Sequence, residues 1–316
     1  MRRLVSVIVP AHDEAATIGT VVHAVLAQAR PDRDVEVIVA DDGSTDGTVE
    51  AAGAAGAMVV RLDAGRGGGN PAAARNAGAA VASGDPLVFL DADCTPLDGW
   101  LDALLAAHDR GAVVVGGALD LPPGLPPSAR CDYYCGWYLV HSRRPAGWVP
   151  HHPPPNLSVR ADAFRGTRGF MEEQPFSYTN EERAWQADLR EQGHRIYFEP
   201  RAVAYHHNRP GFINLLRRNY RWAYTALEGK SRFGTARMAW IYRYPRAMIA
   251  LSLPLAFAHT AYIAGCWAKA RRLEPLLMLP AILASRFAYT AGMAVGGWRW
   301  LRRGKRVPRE IGPKWR

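Results

Sequence analysis

The chain has 316 residues, 48% of them hydrophobic and 22% charged, a globular balance that excludes disorder, collagen-like repeats and coiled coil. Its net charge of +10 is unevenly placed: residues 1–200 carry 17 Arg and no Lys against 26 acids, whereas residues 201–316 carry 22 Arg and Lys against only Glu228, Glu274 and Glu310. An acidic body with a basic, apolar tail is dipolar, and such a tail seeks anionic phosphate. Cys94, Cys131, Cys135 and Cys266 are too few and scattered for a disulfide framework, and no second pair completes a zinc set around Cys131 and Cys135. A reducing compartment is expected.

The opening Met1-Arg2-Arg3 is basic, but the apolar run Leu4 to Pro10 is short and meets His12, Asp13 and Glu14. It reads as a buried strand rather than a secretory signal. Ile18, Val21, Val22, Val25 and Leu26 then recur at helical spacing. A second strand, Val35 to Ala40, ends in Asp41 and Asp42, with Gly43 as the turn and Ser44 to Asp46 as N-cap candidates for the next helix. A third strand is expected over Ala57 to Leu62, a helix over Ala72 to Ala82, and a buried strand over Leu87 to Leu90, followed by Asp91 and Asp93. Strands alternating with helices predict an α/β fold with a parallel sheet, whose ligands bind outside the carboxyl ends of the strands. Those ends deliver Asp13, Glu14, Asp41, Asp42, Asp91 and Asp93 to one rim, and acids so crowded call for a cation among them. From about Gly111 the periodicity weakens, and loop with short strand is expected. Thr179 to Glu182 opens a helix that Gly193 stops; a strand over IYFEP and a basic helix with Arg217, Arg218, Arg221 and Trp222 follow.

The glycine-rich GRGGGNPAAARNAG does not fit the dinucleotide pattern, because Asn70 stands three residues after Gly67. It reads as a loop, with Arg75 on the following helix in reach of a diphosphate or, alternatively, solvated. Asp91-Ala92-Asp93 sets two carboxylates on one side of extended chain, oxygen donors suited to Mg²⁺ or Mn²⁺.

Together VSVIVPAHDE, VIVADDGSTDGT, the AARNAG helix, FLDADC and NEERAWQADLREQGHRIYFEP resemble glycosyltransferase family 2, the inverting GT-A enzymes that use nucleotide sugars, over about residues 4–225. The resemblance implies a GT-A fold over residues 1–210, with residues 211–316 as a membrane-associated tail. It implies that Pro10, His12, Asp13 and Glu14 shape a nucleotide pocket, although His12 and Asp13 replace the usual Tyr and Asn. Asp41 and Asp42 would read the base, Arg75 approach the diphosphate, Asp91 face ribose and metal, and Asp93 be the principal metal ligand. Glu182 stands at the position of the general base, with Glu181 next to it; a capping box from Thr179 to Glu182 is the competing structural role. His206 is a candidate third metal ligand or phosphate brace. Arg218, Arg221 and Trp222 resemble an element lying over acceptor and diphosphate, and equally suit a basic amphipathic helix on a membrane. His151 and His152 are given no chemistry.

Ala247 to Ala268 is a 22-residue run without formal charge, long enough to cross a bilayer. Pro275 to Trp298 carries Arg286 near its centre, which at about 2.5–3.5 kcal/mol disfavours insertion. The cations Lys269, Arg271 and Arg272 between the runs also oppose a spanning hairpin, so spanning, re-entrant and interfacial placements stay open. The expected enzyme moves a sugar from a nucleotide-diphosphate donor to a membrane-linked or envelope-glycan hydroxyl, at the cytoplasmic face of the inner membrane, with no nucleic-acid partner. A nucleotidyltransferase would need a G-x-G-T-R-L-like start after the first strand, which is absent. A nucleic-acid binder would need neither the acid-lined rim nor the apolar runs. The alternative is a non-catalytic membrane scaffold or a degenerate relative of the family with a nucleotide-binding fold.

Overall fold

The structure, a computed structural model, describes residues 2–62, 69–173, 176, 179–234 and 239–304. In chain order the elements are β1 (Arg3–Ala11), α1 (Ile18–Leu26), β2 (Arg33–Asp41), α2 (Thr48–Ala54), β3 (Met58–Arg61), α3 (Pro71–Val81), β4 (Leu87–Leu90), β5 (Cys94–Pro96), α4 (Trp100–Asp109) and β6 (Val114–Asp120). There follow α5 (Pro127–Gly136), β7 (Gly147–Val149), β8 (Asn156–Val159), α6 (Ala161–Arg165), α7 (Glu182–Glu191) and β9 (Ile196–His206). The C-terminal helices are α8 (Phe212–Tyr224), α9 (Ala226–Phe233), α10 (Pro245–Ala250), α11 (Ser252–Lys269), α12 (Glu274–Leu277) and α13 (Leu279–Arg302). The chain divides into two compact units, Met1–Asp120 with Pro145–His207, and Leu121–Arg144 with Asn208–Arg316. Segment 121–144 thus belongs with the helices after residue 207 rather than with the strands that flank it.

All nine strands lie in one sheet of the first unit, ordered β3-β2-β1-β4-β8-β6-β9-β5, with β7 also pairing β9. The first four neighbours are parallel, β8 is antiparallel to β4 and β6, and β5 is antiparallel to β9, so the sheet is mixed. The continuous apolar runs follow from full burial: Val7, Ile8, Val9, Val39 and all of β4 are inaccessible to solvent. Gly78 lets α3 approach β1, since a Cβ there would lie 2.5 Å from the Ile8 side chain. Gly43 and Gly193 turn the chain at φ +75° and +85° as expected. None of Ser44 to Asp46 is the N-cap of α2; Gly47 is, and Asp46 reaches past it to accept from the Thr48 amide at 3.0 Å. The region where periodicity weakens holds more order than expected, including the seven-residue β6 and ten-residue α5; glycines and prolines mask their patterns.

The second unit is helical, with a core of Ala223, Leu227, Met248, Met293 and Trp300. Helix α13 meets α8 through small residues: a Cβ at Gly292 or Gly296 would run into the backbone carbonyl of Tyr220 or Tyr224. Backbone cannot swing aside as a side-chain tip can. Gly296→Ala is therefore expected to cost about 1–3 kcal/mol, read as a lowered midpoint in thermal or urea unfolding.

Among the described residues no helix is long and apolar enough to cross a membrane, so of the placements left open for 247–268 and 275–298 a helical span finds no support. That run is broken at Leu251, between α10 and α11. Arg286 faces protein: it is 2% exposed and donates to Asn219 Oδ1 of α8 and, at 3.2 Å, to Ser285 Oγ. A guanidinium so enclosed is satisfied by neighbouring helices without snorkelling. All four cysteines are free thiols.

Candidate active site

Parallel register brings the carboxyl ends of β1 and β2 level, Ala11 opposite Asp41. Pro10 is buried at that end of β1. The loops beyond are stitched together: the Asp42 amide donates to Ala11 O at 2.9 Å, and the His12 ring donates through Nδ1 to Asp42 O at 2.9 Å. Asp13, at φ +54°, accepts from the Thr45 amide at 2.8 Å. The Glu14 amide donates to Thr48 Oγ1 at 2.8 Å, and its carboxylate accepts from Thr17 Oγ1. His12, Asp13 and Glu14 thus hold the rim in shape. Asp41 and Asp42 are buried. Asp41 Oδ1 accepts from the Ser44 amide, and Asp42 Oδ2 from the Gly69 and Asn70 amides at 2.9 and 2.5 Å. Among the described residues Asp42 Oδ1 has no hydrogen-bond partner, and Asp41 Oδ2 has only the Arg61 guanidinium, 3.6 Å away. Such orphaned acceptors are costly unless a ligand N–H meets them. Residues 63–68 of the glycine-rich segment lie outside the described residues; Asn70 caps α3 by accepting from the Ala73 amide.

Arg75, on α3, is 3% exposed and bridges two acids. Its Nη2 lies 2.7 Å from Asp91 Oδ1 and its Nη1 2.9 Å from Glu181 Oε1, with the Phe170 ring against the guanidinium. One oxygen of Asp91 is thereby engaged. Asp93, two residues on, lies 3.6 Å from His206 Nε2 at the end of β9, where Cys94 pairs His206 in register. Asp93, Cys94 and His206 present potential ligand atoms within 4.8 Å of one another. Burial, then the carboxylates of Asp93 and Asp91, push the Cys94 thiol well above its ordinary pKa. The donor set that fits is carboxylate and imidazole, suited to Mn²⁺ or Mg²⁺, with the protonated thiol beside it.

The two acids opening α7 are claimed by different cations. Helix α7 starts at Glu182 with Glu181 as an N-cap making no side-chain cap bond, so the capping box from Thr179 does not form. Glu181 faces Arg75; Glu182 Oε1 pairs with His151 Nε2, and Arg183 Nε lies 3.9 Å away. Burial, then the neighbouring Glu182 charge, pushes the Glu181 carboxyl up to about 7 despite Arg75. Burial would raise Glu182 as well, but the His151 charge and hydrogen bond, with Arg183, outweigh it and hold that carboxyl down at about 2. Glu182 is thus ionised at neutral pH.

The raised Glu181 carries a stability signature. Folded, it keeps its proton up to about pH 7; unfolded, it releases it near 4.5, so between these values the native chain binds more protons. This contribution is full below the unfolded value and is lost as pH rises towards 7. Glu181→Gln is expected to flatten the fall in stability across that window, measured by urea unfolding at about pH 5 and about pH 7.5.

In the second unit Arg218 Nη2 pairs with the buried Asp132 at 2.6 Å, and its guanidinium lies 5.9 Å from the Trp222 ring centre. Trp222 packs edge-on to Trp137, and Arg221 is exposed. The residues that sequence reasoning missed are His151 as the partner of Glu182 and Asp132 as the partner of Arg218. Neither contact has a local signal, because 31 residues separate the first pair and 86 the second.

Residues 6–170 match the family described as Glycosyl transferase family 2. Glycosyltransferase AglE of Haloferax volcanii is 31% identical over 69% of this chain and 71% of that protein. The pre-mycofactocin glycosyltransferase of Mycobacterium tuberculosis is 29% identical over 95% of this chain and 72% of its own length. Among solved structures, the mannosyltransferase PcManGT from Pyrobaculum calidifontis, in complex with GDP-Man and Mn²⁺, aligns with a TM-score of 0.61 at 22% identity, covering 96% of this chain and 89% of that one. The mixed α/β sheet is thus of the GT-A kind, and the chain belongs to glycosyl transferase family 2.

Proposed function

We propose that the protein inverts the anomeric carbon of a nucleotide-diphosphate sugar while transferring it to a hydroxyl of a membrane-linked or envelope-glycan acceptor. The observation that carries this reading is the Arg75 bridge. One buried guanidinium ties the D-x-D segment, through Asp91, to the acids that open α7, through Glu181. Pro10, His12, Asp13 and Glu14 form the wall of the donor site, and Asp41 and Asp42 accept ring N–H groups of the base, Asp42 through an oxygen with no hydrogen-bond partner among the described residues. Asp93 and His206, with Asp91 nearby in sequence, would hold a divalent ion. That ion, when bound, supplies positive charge against the departing diphosphate. Glu182 is the base: it takes the hydroxyl proton as the oxygen attacks opposite the leaving group, C–O forms, and the bond to phosphate breaks with its electron pair on the nucleotide. For Arg218, Arg221 and Trp222, in the second unit, a role towards acceptor and diphosphate rests on the family resemblance alone.

The membrane part of the proposal rests on the second unit's surface. Leu251, Leu253, Phe257, Leu273, Leu277 and Trp298 are exposed, Leu277 by 86%, and Lys269, Arg271 and Arg272 interrupt them in sequence. Apolar side chains with interspersed cations suit an anionic headgroup layer without a span, and the cytoplasmic face of the inner membrane offers one beside the nucleotide-sugar pool. The test is hydrolysis and binding of UDP-, GDP- and dTDP-sugars with and without Mn²⁺, beside flotation with phosphatidylglycerol vesicles. One metal-dependent donor and salt-sensitive flotation are expected. Binding of no nucleotide sugar would overturn the reading in favour of a membrane scaffold.

A further inference from the structure

The loop after β7 carries two adjacent histidines with opposite fates. His152 is fully buried and locked: its Nε2 bonds Gly117 O of β6 at 2.9 Å, its Nδ1 bonds Pro153 O, and its carbonyl accepts from Gln186 Nε2 of α7 at 2.6 Å. The close approach of His152 to β6 depends on Gly116, where a Cβ would collide with the imidazole. This clamp fixes the loop to the helix that carries Glu182 and sets the neighbouring His151 against that carboxylate. The side chain of His151 is 21% exposed, that of Glu182 only 6%.

A buried carboxylate bonded to a more exposed imidazole is the arrangement by which an acid orients a histidine and stabilises it when protonated. Two such interacting groups titrate as a pair, with proton affinities that belong to both. We propose that His151 and Glu182 form one acid–base unit, in which the imidazole holds and orients the carboxylate that takes the proton lost by the acceptor hydroxyl. The inference rests on the reading of Glu182 as the base and deepens it. His151 donates through Nε2–H to Glu182 Oε1, which leaves Oε2 to meet the acceptor. The acceptor O–H bond breaks as its oxygen bonds the anomeric carbon; the proton stays on Glu182 Oε2, while Oε1 keeps its bond from the imidazole. The bond to phosphate breaks with its electrons on the diphosphate, so charge and protons balance without a co-reactant. His151 acts through Glu182 and is a positioning residue. The charged groups facing the pair, among the described residues, are Arg183 on α7 and Glu181 beside it, the latter held by Arg75 of α3, which also binds Asp91 past β4.

The test uses the full chain with Mn²⁺ and whichever of UDP-glucose and GDP-mannose it hydrolyses, water serving as acceptor. His151→Gln keeps a hydrogen-bond donor; His151→Phe keeps the ring's bulk alone. His151→Phe is expected to lower kcat by roughly 10²-fold with donor KM unchanged, and His151→Gln to recover most of that loss. In proton NMR of the unliganded chain, Glu182→Gln is expected to lower the pH at which the His151 ring titrates. Wild-type kcat in His151→Phe, equal losses in His151→Phe and His151→Gln, or a His151 titration indifferent to Glu182→Gln, would overturn the proposal while leaving donor hydrolysis intact. If the wild-type chain hydrolyses neither donor and binds no nucleotide sugar, the underlying reading falls and this proposal with it.

Discussion

Glu182→Gln is expected to lower turnover by roughly 10²–10⁴-fold, the usual contribution of a positioned proton acceptor. Donor binding should stay within about twofold, because the carboxylate acts on the acceptor and only during bond formation. The amide keeps the size of the side chain and an oxygen that can accept from His151, so the start of α7 is expected to survive. Stopped-time assays of nucleotide release beside donor titrations separate the two effects. Equal loss of binding and turnover would mean that Glu182 builds the donor pocket. Unchanged turnover would remove it from the chemistry altogether.

Arg75→Met is expected to give the largest loss of stability, about 3–5 kcal/mol, as is usual when one member of a buried ion cluster is removed. That is a large part of the 5–15 kcal/mol typical of a folded chain. Methionine fills much of the space over Phe170 but leaves Glu181, 5% exposed, beside the ionised Glu182 without its cation. Lysine would not restore the bridge, since one ammonium cannot meet two carboxylates with the fork of a guanidinium. In Arg75→Met with Glu181→Gln the buried acid left without its partner is replaced by a neutral amide, and part of the stability is expected to return. Urea unfolding of the four-member cycle measures the coupling. Strict additivity of the two substitutions would show that the bridge does not couple them. Turnover should fall in Arg75→Met as well, because Asp91 of the D-x-D segment loses the contact that orients it.

Much of the first unit was legible in the sequence for a plain physical reason. Strands buried on both faces write themselves as unbroken Val, Ile and Leu runs, and β1, β2 and β4 sit where those runs lie. The acids at their ends were legible too, because carboxylates rarely follow buried strands without a partner. What the sequence did not carry is pairing at a distance. Arg75 pointed to a diphosphate from its helix alone; the fold gives it Asp91 and Glu181, contacts spanning 16 and 106 residues. The partner of Glu182 lies on a short loop between prolines, where no periodicity marks it. In the tail, hydropathy alone suggested a membrane crossing over 247–268. The break at Leu251 and the protein-facing Arg286 come from packing among α8, α11 and α13, which an apolar run shares with a bilayer span.

The central claim is that Asp93 and His206 complete a donor site with a divalent ion. Its most direct test is calorimetric titration of the hydrolysed nucleotide sugar into the wild-type chain and Asp93→Ala, each with Mn²⁺ and with EDTA. The account predicts that wild-type affinity collapses in EDTA, that Asp93→Ala binds as weakly with Mn²⁺ as the wild type does without it, and that turnover falls roughly 10³-fold with the ion. Equal donor affinity in all four titrations would contradict it.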